Sequence, residues 1–567
     1  MMKTILDKLK QWSEIIFRKE VLFYYFIAVL LLPNILLSIT ESLSFIERVC
    51  NVLLPLGCYY LIASSTRRLG LSIWILCPIS ILAGFQIVLL DIYGRSVIAS
   101  DMFLNFVTTD ANESTELLGN IFKILIAVVV MYVLPIVIAT VLLIKKLKLD
   151  NSFIKKNRNV AIGIFLSGLS LLGVCSLSSN IYSIKNDLYP INAFYNMYEA
   201  FVRYNKLNNY QTTSKDFTFK STSSHEIKNR EIYVVVLGET SRATNWELCG
   251  YNRSTNPLLK KVENLVVFDS VLTESNITHK CVPMLLSSAS AIDYDNIYKQ
   301  KSLITAFKEA GFKTAYFSNQ AHTQTLIDFF GREADECVYT RDKAPNYNPY
   351  DMEFVDNVKR IIKEGADKQL IVLHAYGSHY DYVGRYPKEY AYFLPDGPSN
   401  PNKEYLPLLV NAYDNSIRYT DAVLNEIISV LKSEENTYSS LMYVSDHGED
   451  LFDDGRNEIF HSSTIPSYYQ IHVPMLVWVS DSYKMAFPNI LESLKSNAHK
   501  QISSSASFFH TVLNIAGIET AYRNDSYSVA NDAFTERERL YLDEHYQGVP
   551  LLSIDMREED CELLKKF

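Results

Sequence analysis

The chain has 567 residues, with 54 basic and 63 acidic side chains and a net charge of −9. Hydrophobic residues make up 48% and charged residues 21%, which excludes intrinsic disorder, a collagen-like repeat and a disulfide scaffold. This mild acidity leaves no basic footprint for nucleic acid. Four cysteines (Cys50, Cys58, Cys77, Cys175) lie in apolar stretches. The others (Cys249, Cys281, Cys337, Cys561) lack metal-ligand spacing, so no cysteine zinc site is expected.

Apolar residues concentrate before residue 180, in runs at 21–39, 49–65, 72–90, 124–144 and 160–178. The fourth has no charge and is long enough for a hydrocarbon core of about 30 Å. No small-residue cleavage site follows the first, so it reads as a span and not a signal peptide. Lys and Arg gather before the first run, between the second and third (Arg67, Arg68), and between the fourth and fifth (Lys145, Lys146, Lys148, Lys155, Lys156, Arg158). The alternate loops are poorer in such charge, with Arg48 in one and Arg95 and Lys123 in the other. The positive-inside rule then predicts a cytoplasmic N-terminus, five crossings and everything after residue 180 outside the cytoplasm.

Residues 181–230 read as a connector. Its stretch 193–204 has helical spacing and an apolar, Tyr-rich face suited to a membrane interface, and 211–230 reads as a Ser/Thr/Lys-rich linker. The expected organisation is a membrane domain over 1–180, this connector over 181–230, and a catalytic domain over 231–567.

From 231 onward, apolar runs at 232–237, 314–318, 370–373, 441–444 and 475–479 alternate with helical patterns at 303–310, 354–363 and 412–432. Continuous apolar strands between helices predict a mostly parallel sheet covered on both faces, an α/β/α sandwich. In such sheets ligands bind beyond the strands' carboxyl ends. Polar clusters stand there: Gly238-Glu239-Thr240, His374 to His379, and Ser445-Asp446-His447-Gly448-Glu449. Carboxylates and imidazoles converging from three strand ends suit Zn²⁺ or Mn²⁺.

Further motifs extend this set. Gly238-Glu239-Thr240-Ser241-Arg242, Tyr251-Asn252-Arg253, Asn256-Pro257, Ser275-Asn276-Ile277-Thr278 with Val282-Pro283, His374 to His379, Asp446-His447-Gly448-Glu449 and His461 occur in order. Together with the five apolar runs, the chain resembles the membrane-anchored, metal-dependent phosphoethanolamine transferases of the alkaline phosphatase superfamily. That resemblance implies a zinc held by Glu239, Thr278, Asp446 and His447, with Thr278 as nucleophile. It places His379 and His461 around the transferred phosphate, as catalytic and substrate-binding groups, where they also suit a second metal. It implies transfer of phosphoethanolamine from phosphatidylethanolamine to lipid A or another envelope glycolipid, at a bacterial inner membrane with the catalytic domain in the periplasm. Asn105, Thr109 and Glu113, at four-residue spacing between the third and fourth runs, become candidate contacts for the lipid headgroup. His374 and His472 read as structural, and His322, His499, His510 and His545 as surface or packing residues.

Cys281-Val282-Pro283 competes for the nucleophile's role, because it resembles the start of the Cys-x-Pro-x-Arg sulfatase signature. Leu285 stands where that signature has Arg, which favours Thr278. A phosphoglycerol transferase, a membrane-tethered sulfatase and an inactive sensor domain are the alternative readings. This chain also departs from the transferase pattern. Asn319, Gln320 and His322 occupy the region where a lysine is expected near the phosphate, the paired cysteines of many members are missing, and an acidic insertion precedes His461.

Overall fold

The computed structural model describes residues 18–94, 96–108, 122–178, 182–225, 229–343, 347–398 and 400–566. The chain divides into two compact units, with the main boundary between Phe201 and Val202 and the described residues 105–108 grouped with the second.

The first unit is built from apolar helices: α1 (Lys19–Thr40), α2 (Phe45–Ala63), α3 (Leu69–Ile75), α4 (Cys77–Tyr93), α5 (Phe122–Val128), α6 (Leu134–Ile144) and α7 (Asn151–Ser178). A π turn, Val129–Val133, joins α5 to α6, so that Ile124–Ile144 forms one span. Among the described residues, four helices are long and apolar enough to cross a membrane unaided. The expected third span is instead a broken pair, α3 and α4, meeting at 59°. Pro78 in the first turn of α4 lacks the N–H that would continue the ladder from α3. Counting this pair as one span gives five. Small residues let α2 and α7 approach closely: a Cβ on Gly57 would stand 2.5 Å from the Phe165 backbone. Among the described residues, the buried polar side chains of α1–α7 are satisfied internally, as hydrocarbon requires. Asn34 Nδ2, for example, donates to the Asn51 and Tyr189 carbonyls at 3.0 and 2.7 Å.

The second unit is organised around a seven-stranded sheet. Its strands are β1 (Glu231–Gly238), β2 (Leu265–Phe268), β3 (Lys313–Ser318), β4 (Glu336–Tyr339), β5 (Lys368–His374), β6 (Tyr438–Ser445) and β7 (Met475–Val479). The order is β2-β7-β6-β1-β5-β3-β4. Six strands point the same way, and β7, between β6 and β2, runs antiparallel to both. All eight residues of β1 are buried, as expected for a central strand covered on both faces. Ile232, Val234 and Val236 pack into one core with the apolar stripes of α10 (Glu353–Lys363) and α11 (Leu406–Lys432). Tyr233, alternating to the other face, meets Phe307 and Phe312. Each such fully buried Leu, Ile or Phe contributes about 1.5–3 kcal/mol of transfer free energy. The expected α/β/α architecture is therefore present.

Part of the stretch read as a linker is tied to this unit. Thr222–Ser223 pairs antiparallel with Ile518–Glu519, and His225 Nδ1 lies 3.0 Å from buried Glu231. The helix read over 193–204 is α8 (Ile191–Asn208).

Candidate active site

The central strands deliver their polar residues to one place. Glu239 follows β1, and Asp446 and His447 follow its neighbour β6, all three buried. One ligand atom from each lies within 4.8 Å of the others. Gly238 is required at the end of β1, because a Cβ there would meet the Tyr443 hydroxyl at 2.4 Å. Thr278 opens helix α9 (Thr278–Leu286), where backbone N–H groups and the helix dipole favour an anion. Its Oγ1 lies 3.0 Å from His447 Nε2 and 3.3 and 3.4 Å from the two Glu239 oxygens.

The protonation pattern suits a cation. His447 Nδ1 lies 2.9 Å from the Gly448 carbonyl, which can only accept, so the proton belongs on Nδ1 and the Nε2 lone pair faces the cluster. His447 Nε2 stands 3.3 Å from Asp446 Oδ2 and 3.5 Å from Glu239 Oε1. Asp446 Oδ1 accepts backbone N–H groups from Thr240 and His447, while its buried Oδ2 has no hydrogen-bond partner. A buried carboxylate oxygen left this way is costly unless a cation completes it. Two carboxylates, an imidazole and a hydroxyl form a donor set that fits Zn²⁺ or Mn²⁺.

His461 and His379 form a second layer. The His461 ring lies 4.2 Å from that of His447 and 5.9 Å from that of His379. His461 Nδ1 is 2.9 Å from Glu449 Oε2, and Glu449 Oε1 accepts the Tyr382 hydroxyl at 2.8 Å. His379 Nδ1 is 2.7 Å from the Tyr380 carbonyl. Burial pushes His461 and His447 down to about 4 and raises Glu449 to about 8. It also holds His379 well below the usual histidine value, with His461 and Arg385 adding to the effect.

Of the residues singled out by sequence, Glu239, Thr278, Asp446 and His447 come together, with His379 and His461 adjacent. Asn105 lies in the helix Ser100–Thr108, but its side chain, Thr109 and Glu113 lie outside the described residues. Cys281 is fully buried, its Sγ 3.1 Å from the Ser275 carbonyl, and burial pushes its thiol far up. All eight cysteines are free. The structural readings of His374 and His472 agree with their contacts: His374 Nδ1 faces the Tyr316 and Ser318 hydroxyls, and His472 bridges Tyr468 and the Asp269 carbonyl. The acidic insertion is compensated by Arg242, Arg456 and Arg557. Sequence reasoning missed the part of Glu449, Tyr382 and Gln320 in holding the site. Glu449 stood inside a quoted motif, but its pairing with His461 is a three-dimensional fact.

The chain is similar to phosphoethanolamine transferase EptA of Escherichia coli K12, 31% identical over 316 residues that cover 54% of this chain and 56% of that protein. The match thus spans just over half the length of this curated relative. Full-length lipooligosaccharide phosphoethanolamine transferase A of Neisseria meningitidis shares the fold, with a TM-score of 0.68 and 23% identity over 91% of this chain and 96% of that one. The C-terminal periplasmic domain of EptC from Escherichia coli, solved with Zn, superposes with a TM-score of 0.54 and 26% identity, over 59% of this chain and 96% of that one. The sulfatase family model matches residues 231–518, half of the chain, and this protein belongs to the sulfatase family.

Proposed function

We propose that this protein is a metal-dependent phosphoethanolamine transferase of a bacterial inner membrane. The first unit anchors it, the connecting helix lies in the membrane interface, and residues 231–567 work on the periplasmic side. The donor is phosphatidylethanolamine, and the acceptor is lipid A or another envelope glycolipid. Tethering keeps the enzyme in the same bilayer as both substrates and raises their effective concentration at the site. The observation that supports this reading best is the Thr278 hydroxyl at the mouth of α9, 3.0 Å from His447 and 3.3 Å from Glu239.

Glu239, Asp446, His447 and Thr278 would hold a zinc ion, with Mn²⁺ as the alternative. Such an ion stabilises an alkoxide near neutral pH and offsets charge on a phosphoryl group. Thr278 Oγ1 attacks phosphorus, an Oγ1–P bond forms, and the bond from phosphorus to the diacylglycerol oxygen breaks. The threonine proton passes to solvent, and the departing diacylglycerol oxygen takes up a proton from solvent on the side of the neutral His379 and His461. In the second half, an acceptor oxygen attacks the same phosphorus and Thr278 Oγ1 is released. Asn105, Thr109 and Glu113 receive the headgroup, with the Glu113 carboxylate matched to the ethanolamine ammonium.

The test is incubation of the full chain with phosphatidylethanolamine in the absence of acceptor, followed by peptide mass spectrometry. The expected result is one phosphoethanolamine unit on Thr278. A donor that turns over while Thr278 stays unmodified overturns the two-step reading, and a glycerol-phosphate adduct reassigns the donor.

A further inference from the structure

Asn319 and Gln320 follow β3 in the region where the transferase pattern has a lysine, and their side chains reach two different parts of the site. Asn319 Nδ2 donates to Asp351 Oδ1 at 2.7 Å. The same carboxylate accepts from the backbone N–H groups of Tyr376 and Gly377 at 3.0 and 2.9 Å, fixing the turn that leads to His379. Gln320 Nε2 donates to Glu239 Oε2 at 3.1 Å and to the Ala375 carbonyl at 2.9 Å. Both partners only accept, so the amide nitrogen must be the atom facing them.

Glu239 is held from its other sides as well. Its Oε1 accepts the Thr240 hydroxyl at 2.6 Å, and its backbone carbonyl accepts from Ser378 N–H at 2.9 Å. Gly377, at φ +53°, packs so closely that a Cβ would stand 2.6 Å from the Glu239 carbonyl oxygen. The backbone of Glu239 is thereby fixed by the loop, and Gln320 fixes Oε2.

We propose that Gln320 is a positioning residue, whose amide ties the Glu239 carboxylate to the main chain at the end of β5 and so sets the direction in which Glu239 offers its oxygens to a divalent ion. The inference rests on the metal-site reading above. Without this tie Oε2 loses its amide donor, and the carboxylate, repelled by Asp446 across the cluster, is oriented less firmly before an ion arrives. A neutral donor holds it while leaving its full negative charge for the ion. Partners that orient metal ligands in this way are worth roughly 10–100-fold in metal affinity.

The test measures Zn²⁺ affinity of the metal-stripped full chain in detergent, by competition with a chromophoric chelator, for wild type, Gln320→Ala and Gln320→Met. Met keeps the length and bulk of Gln but has no donor. Both variants should bind zinc about 10-fold or more weakly, with the metal-free unfolding midpoint unchanged. Wild-type affinity in both variants, or retention in Gln320→Met alone, overturns the positioning role, the latter because packing would then suffice. An affinity loss that tracks a lowered metal-free midpoint overturns it too. A wild-type chain that takes up no zinc overturns instead the metal-site reading on which the inference stands.

Discussion

The two ends of the central sheet treat a buried carboxylate in opposite ways. Glu231 opens β1 and is 1% exposed, with Lys368 Nζ and His225 Nδ1 each 3.0 Å from it and the Tyr233 hydroxyl donating at 2.8 Å. Burial alone would raise its carboxyl, but these hydrogen bonds outweigh burial and hold it below the usual value. Asp446, roughly 25 Å away at the other end of the paired strands, has only an imidazole, two backbone N–H groups and an oxygen without a hydrogen bond. No Lys or Arg lies within 4.0 Å of it among the described residues. One end is finished by the protein's own cation, and the other is built to be finished by a cation from outside. Stability is concentrated at the first end and function at the second.

The comparison breaks most readily at the functional end. Thr278→Ala should lower headgroup transfer by on the order of 10⁴-fold or more, with the unfolding midpoint of the full chain little changed. A variant that keeps transfer would remove Thr278 from the chemistry.

Lys368→Met should do the reverse. It leaves Glu231 buried without its cation and should cost roughly 3–5 kcal/mol, read as a lower denaturation midpoint, while zinc affinity stays at the wild-type level. Loss of zinc affinity in this variant would show that the two ends are coupled.

Glu274 sharpens the comparison with a third solution. It is 4% exposed and accepts the Ala291 N–H and the Ser503 hydroxyl, each at 2.7 Å. Burial pushes it up from 4.5 to about 7, so the folded state keeps a proton that the unfolded chain releases earlier. Its contribution is fully present below about pH 4.5 and is lost as pH rises through about 7. Glu274→Gln should remove this component, on the order of 2–3 kcal/mol across that window, and flatten the midpoint between about pH 4.5 and 7. An unchanged pH profile would mean that Glu274 ionises normally.

The smallest effect belongs to Cys281. Its Sγ faces the Ser275 carbonyl and the Thr273 hydroxyl inside the core and is not among the converging ligand atoms. Cys281→Ala should cost about 1–2 kcal/mol of stability and leave transfer within a few-fold. Formylglycine at this position together with aryl-sulfate hydrolysis would instead move the chain to sulfatase chemistry.

Much of this architecture could be read from residues alone, because burial on both faces writes a strand as an uninterrupted apolar run. The runs at 232–237 and 441–444 lie within the central strands β1 and β6, and their polar endings gave Glu239, Asp446 and His447. The edge strands β2 and β4 escaped notice. They are four residues long, and their half-buried patterns carry no continuous signal. The antiparallel direction of β7 has no sequence mark, since periodicity is the same either way. In the first unit, apolar length located the third run, while the 59° bend at Leu76, marked in the sequence only by Pro78, was not foreseen. Gln320 and Glu449 were illegible as supports because Gln320 acts on Glu239, 81 residues away, and Glu449 meets His461, 12 residues on, only through the fold of the stretch between them.

The most direct test of the account is anomalous diffraction at the zinc edge from crystals of the full chain grown with zinc. The account predicts a peak in contact with Glu239, Asp446, His447 and the Thr278 hydroxyl, lost in Asp446→Asn. A fully zinc-loaded protein with no peak there, or with its metal bound elsewhere, would contradict it.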